Sequence, residues 1–93
     1  IKADEAKAIG LVTEVVAHDG LLQRARDVAW LITQKGPLAI AAAKKAINDG
    51  ADAELMSALD NEAKLFGGLF ATEDMREGTS AFVEKRTPDF KGK

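Results

Sequence analysis

The sequence predicts an all-α fold, and three features carry the prediction. Apolar residues recur at three- and four-residue spacing through most of residues 19–86, the period of a helix with one buried face. Aromatic residues are only 5% of the chain, and the other apolar material is largely alanine and leucine, which suits packed helices. Helix punctuation recurs at Gly36-Pro37, Asn48-Asp49-Gly50, Gly67-Gly68 and Pro88. The expected architecture is four main helices, preceded by a short helix and one short strand.

Ala3 to Ala8 reads as the short helix, ended by Gly10 at a left-handed cap. Leu11 to Val16 is rich in β-branched residues and is the one expected strand. A lone strand cannot satisfy its own backbone groups, so it either pairs with a second copy or belongs to a sheet supplied from elsewhere. Asp19 is expected to cap a helix running to about Gln34, with Leu22, Ala25, Val28, Ala29 and Ile32 on its apolar face. Pro37 starts the next, at the first helical position, where a missing N–H is harmless. Ala39, Ala42, Ala43 and Ala46 line one side of it, and such small side chains suggest a central place in a helical bundle.

Ala51 to about Phe66 reads as a further helix, with Gly67-Gly68 expected to end or kink it. The last, Glu73 to about Arg86, carries signals at both ends. Thr72 can cap it, Glu73 and Asp74 complement the positive end of its dipole, and Lys85 and Arg86 suit its final turn. Pro88 stops continuation, and the tail Lys91-Gly92-Lys93 is expected to fray.

Ninety-three residues support one modest core. A net charge of −2 gives no electrostatic footprint for nucleic acid. No apolar run approaches the roughly 20 residues that cross a bilayer, so no membrane partner is expected. With no cysteine there are no disulfides or thiolate metal sites. No leader is visible, and a cytoplasmic location is expected. A chain opening on Ile1 rather than Met points to a piece of something longer.

Chemistry-bearing clusters are sparse. His18 is the only histidine, so no metal site or triad can be assembled around it, and neither Ser57 nor Ser80 has a histidine at helical spacing. Glu73 and Glu77 lie one turn apart and could be read as acid and base. Dipole compensation and pairing with nearby cations is the favoured reading, because nothing in the sequence tunes either pKa. Gly78 inside a helix costs about 0.8–1.0 kcal/mol relative to alanine, so something should pack closely against that turn. Phe82 and Lys85, three apart, would share a helical face. By spacing alone, the ring belongs to the core and the ammonium to solvent.

The run Thr72-Glu73-Asp74-Met75-Arg76-Glu77-Gly78, continued by Ala81-Phe82-Val83-Glu84-Lys85-Arg86 and Pro88-Asp89-Phe90, resembles the C-terminal signature of the enoyl-CoA hydratase/isomerase (crotonase) family. Glu5-Ala6 with Ile9-Gly10-Leu11-Val12, then Pro37, Lys44 and Ile47-Asn48, and then Leu59, Glu62 and Phe66 extend the resemblance over essentially the whole chain. One departure is Ala17-His18, where the family often has proline.

The resemblance implies the C-terminal helical domain that family members use as lid and trimerisation surface. It places the oxyanion hole and both catalytic glutamates upstream, so no catalytic residue is expected here, and it favours a missing sheet for the strand. Residues 1–18 would then end a catalytic domain and 19–93 form the helical domain. The parent would add water across the double bond of a 2-enoyl-CoA, as in fatty-acid β-oxidation or related acyl-CoA metabolism, with acyl-CoA as substrate and no further cofactor. Phe82 and Lys85 are implied as contacts of the adenosine-diphosphate end of coenzyme A, and Phe66 as a lining of the acyl-CoA region. Partners are the parent's catalytic domain and neighbouring subunits, with self-association expected of the chain alone. A free-standing helical interaction module without coenzyme A binding is the other reading.

Overall fold

The computed structural model describes residues 1–93. Five α-helices follow in order: α1 (Ala3–Ala8), α2 (Leu21–Thr33), α3 (Pro37–Gly50), α4 (Leu55–Leu69) and α5 (Glu73–Glu84). A 3-10 turn, His18–Gly20, leads into α2. The chain divides into two compact units, Ile1–Leu31 and Ile32–Lys93. The border expected between residues 18 and 19 lies inside the first.

In the first unit, Glu5 Oε2 accepts the Lys2 N–H at 2.8 Å and holds the start of α1. The helix closes as expected at Gly10, whose φ of +76° is in the left-handed region. Gly10 donates to the Lys7 carbonyl at 3.1 Å and Leu11 to the Ala6 carbonyl at 2.8 Å, so two orphan carbonyls are satisfied. The strand expected over Leu11–Val16 does not form: these residues are bends and irregular chain. The chain has no other extended segment to exchange ladder hydrogen bonds with them, so β-branched composition alone cannot make a strand. Glu14 within this stretch is instead held by Arg24 Nε of α2, at 2.9 and 3.1 Å from its two oxygens. Asp19 sits inside the 3-10 turn and does not mark a discrete helix start.

In the second unit, α3 and α4 form an antiparallel hairpin joined by residues 51–54. Their close approach is visible at Gly50, where an added Cβ would lie 3.3 Å from the Ala58 Cβ. Asp49 of α3 accepts Lys45 Nζ at 2.8 Å and Asn61 Nδ2 of α4 at 3.3 Å. α4 starts at Leu55, not Ala51, because Glu54 is its cap and accepts the Ser57 N–H at 3.1 Å. The Met56 and Ser57 N–H groups hold the Glu54 carboxyl below its ordinary pKa.

Gly67-Gly68 neither ends nor kinks α4, which runs through to Leu69. The Phe66 ring meets Phe70 edge-on at 5.3 Å, one turn later, and Leu65 and Leu69 are half-buried. Packing on both sides of the glycine pair thus offsets their poor propensity, about 1 kcal/mol each. Thr72 then joins two helices: its hydroxyl donates to the Leu69 carbonyl at 2.7 Å and accepts the Met75 N–H at 3.1 Å, capping α5 as expected.

α5 ends at Glu84, two residues short of the expected Arg86, because Lys85 adopts the left-handed conformation (φ 56°, ψ 39°). Lys85 donates to the Phe82 carbonyl at 3.3 Å and Arg86 to that of Ala81 at 3.0 Å. The same closure as at Gly10 is here made by a lysine.

The C-terminal tail is clasped rather than frayed. Asp74, buried in the first turn of α5, accepts the Lys91 N–H at 2.7 Å and the Gly92 N–H at 3.1 and 2.9 Å. Its own N–H donates to the Lys93 carbonyl at 2.9 Å. Glu77 accepts the Asp89 N–H at 2.8 Å and is gripped by two nitrogens of the Arg86 guanidinium, one at 2.9 Å. The Phe90 ring fills the space a Cβ would need at Gly78 (3.3 Å) and approaches Gly36 (3.6 Å). Close packing against the Gly78 turn is therefore supplied by the chain's own tail.

Three outcomes follow from these contacts. Asp74→Ala leaves the Lys91 and Gly92 N–H groups without their charged acceptor and should lower unfolding stability in urea by about 2–3 kcal/mol. Nothing lies within 4 Å of a Cβ built at Gly67 or Gly68, so Gly67→Ala and Gly68→Ala should each stabilise by about 0.8–1.0 kcal/mol in the same assay. Arg86, and secondarily the Asp89 N–H, hold the Glu77 carboxyl at about 2 against an ordinary 4.5. A carboxyl held down stabilises the fold above its ordinary pKa and loses that contribution as pH falls through the folded value. The Glu77 clasp should thus be intact above pH 4.5 and open towards about 2, read from the Asp89 amide shift, which should stay flat in Glu77→Gln.

Candidate functional site

α5 and its closing turn present the strongest candidate contact. Phe82, in the last turn, is 86% exposed, while the opposite side of that turn buries Ala81 against the fold. The ring is therefore not a core side chain. Lys85 follows outside the helix, exposed and in the left-handed conformation. The expected sharing of one helical face is lost, because the helix ends one residue before Lys85. The two residues are joined instead through the Lys85 N–H to Phe82 carbonyl bond, so an apolar ring and an ammonium stem leave the same turn.

Phe66 occupies a different place, on α4 against Phe70. An apolar groove of about 540 Å³ runs between α3 and α4, with Phe66 in its wall. A smaller cavity of about 250 Å³ continues from it beneath Phe90 and is bounded by Gly36, Phe70 and Met75. Ala39, Phe66 and Leu69 belong to both. Glu62 is the only charged side chain in the groove wall, so this surface can take apolar groups but offers little to orient them.

The acidic first turns of α5 suit no proton transfer. Glu77 is committed to Arg86 and held at about 2, far from the value a general base needs near neutral pH. Asp74 is used by the tail. No three His, Asp or Glu side chains converge as metal ligands.

The clasp residues Asp74 and Phe90 had no assigned role in the sequence. The available signal was the pairing of an in-helix glycine, Gly78, with an aromatic twelve residues later. Spacing of that kind becomes informative only once the tail is known to fold back.

Relatives agree with this architecture. The family model described as enoyl-CoA hydratase/isomerase matches residues 1–93. The 2,3-dehydroadipyl-CoA hydratase of Escherichia coli is 44% identical over 93 residues, which are 100% of this chain and 36% of that protein. The crotonyl-CoA hydratase of Syntrophomonas wolfei is 44% identical over 90 residues, 97% of this chain and 35% of that protein. Among solved structures, the enoyl-CoA hydratase of Bacillus anthracis superposes with a TM-score of 0.96 at 42% identity, covering 100% of this chain and 36% of that one. An enoyl-CoA hydratase/isomerase from Mycobacterium paratuberculosis gives 0.95 at 35% identity, covering 100% and 37%. The chain thus spans about a third of the length of the curated relatives it matches. No helix is long and apolar enough to cross a membrane. With its full length matched by the family model and its helices superposed on solved hydratases, this chain belongs to the enoyl-CoA hydratase/isomerase family.

Proposed function

We propose that this chain is the C-terminal portion of an enoyl-CoA hydratase-type polypeptide, closing an acyl-CoA site and supplying subunit contacts while the catalytic groups reside in the remainder. The reaction served would be addition of water across the double bond of a 2-enoyl-CoA, with the relatives named as hydratases supporting that class. This chain's contribution would be binding: Phe82 stacks on the adenine and Lys85 meets phosphate, while Phe66 lines the apolar end. A cytoplasmic setting and assembly with a catalytic domain and neighbouring subunits belong to the same reading.

The observation that carries it is Lys85. A non-glycine residue in the left-handed region costs about 1–2 kcal/mol, and glycine would close α5 without that strain, as Gly10 does for α1. Strain held at one exposed cation, next to one exposed ring, suits a ligand contact. Phosphate attracts an ammonium as a point charge, and a base needs only an accessible aromatic face.

Coenzyme A titrated into ¹⁵N-labelled chain should shift the Phe82 and Lys85 signals. Lys85→Gly removes the ammonium while relieving the backbone, so it should abolish those shifts yet raise stability by about 0.5–1 kcal/mol. Shifts that persist unchanged in Lys85→Gly would refute the assigned contact. Absence of shifts in the parent chain would leave it an assembly element, the interaction-module reading.

A further inference from the structure

The groove between α3 and α4 has no occupant in the fold, although its walls are apolar. Ile47 is 72% exposed, Leu55 68%, Leu59 46% and Phe66 62%. Applied to large side chains of roughly 150–200 Å² each, those fractions leave on the order of 450 Å² of apolar surface from four residues alone. Alanines of α3 and the half-buried Leu65 and Leu69 extend the patch towards the roughly 800 Å² per partner of a stable interface.

The two walls differ in a way that selects the partner. The α3 wall is small: Ala39, Ala42, Ala43 and Ala46 follow the i, i+3, i+4, i+7 pattern of one helix face. The α4 wall is large, with Leu55, Leu59 and Phe66. A surface carrying a small ridge and a large ridge side by side is complementary to itself under a two-fold rotation. The helices also match in length, 14 and 15 residues, so neither would overhang. Charge agrees with crossing α3 over α4 of the partner: α3 carries Lys44 and Lys45 against Asp49, whereas α4 carries Asp60 and Glu62 against Lys64.

We propose that this face binds a second copy of the chain, two α3–α4 hairpins pairing about a two-fold axis parallel to the helices as an antiparallel four-helix bundle. Each α3 then lies between its own α4 and that of the partner, antiparallel to both. Since α3 and α4 run in opposite directions, Ala39 at the start of α3 is level with Phe66 near the end of α4, which agrees with their sharing both cavities. Large therefore meets small at each level of the bundle. The pairing deepens the subunit-contact reading above and does not depend on the coenzyme A contact, which uses Phe82 and Lys85 at another end of the fold.

Sedimentation equilibrium from about 5 to about 200 μM, bracketing the weak limit of standard-sized interfaces, tests it directly. The expected species is twice the 9.9 kDa chain mass. Isotope-filtered NMR on a mixture of labelled and unlabelled chains should show contacts from the Phe66 ring of one copy to the Ala39 methyl of the other. Ala43→Glu, placing an unpaired carboxylate mid-groove, should weaken association at least about 100-fold. Val83→Glu, on exposed α5, should leave it unchanged. A monomer throughout, a trimer, a dimer lacking those contacts, or one broken by Val83→Glu and not by Ala43→Glu would each overturn the proposal. A dimer that persists while coenzyme A shifts are absent would count against the coenzyme A reading alone.

Discussion

The Asp74 carboxylate organises the second unit. Placed in the first turn of α5, it could have served the helix dipole alone, a contribution of a few tenths of a kcal/mol. Instead it is buried and accepts two backbone N–H groups from the tail, while the adjoining backbone N–H answers the Lys93 carbonyl. These bonds fix the tail's path, and the path delivers Phe90 to Gly36 and Gly78. Gly36 directly precedes α3, so one buried carboxylate ties α5 to the start of the helix hairpin through seventeen residues of sequence. Glu77 and Arg86 repeat the arrangement one turn on, at a more exposed position.

Much of this was legible in the sequence, for local reasons. Helix period, the proline at the start of α3, the Gly10 closure and the Thr72 cap act over four or five residues, and all are realised. Where competing contacts lie farther off, local signals mislead. Gly67-Gly68 looks like a break until Phe70 is known to reach back to Phe66. Lys91 to Lys93 look frayed until Asp74 is seen to accept from them. Leu11 to Val16 look like a strand because β propensity records fit to a sheet surface, and the chain supplies no sheet. Lys85 and Arg86 look like dipole-favoured cations of a last turn, yet the helix stops before both. For the candidate site, spacing suggested that Phe82 is core; its exposure could be read only from the position of Ala81 on the opposite side.

The carboxylates divide into two kinds of work. Asp49, Glu54 and Glu77 each have lowered pKa values because fixed donors face them: an ammonium with a side-chain amide, a pair of backbone N–H groups, and a guanidinium with a backbone N–H. All three fasten chain segments, and none is left poised near neutrality. The apolar residues follow the opposite pattern. Ala6 and Ala81 are the only buried apolar side chains, while the larger ones stand partly or wholly exposed. The polar contacts thus set the paths of the chain, and its apolar area remains available for association.

The tail clasp also bears on the order in which the second unit assembles. The α3–α4 hairpin needs closure of only a four-residue connection between helices that contact along their length, so its entropy cost is small and early. Phe90 and the Asp74 acceptors require a loop of about seventeen residues to close onto a helix already capped by Thr72. The clasp is thus a late event in folding. By the same reasoning it opens first, as a local fluctuation that leaves the helices intact. The residues that connect the start of α3 to α5 are therefore the first to come loose.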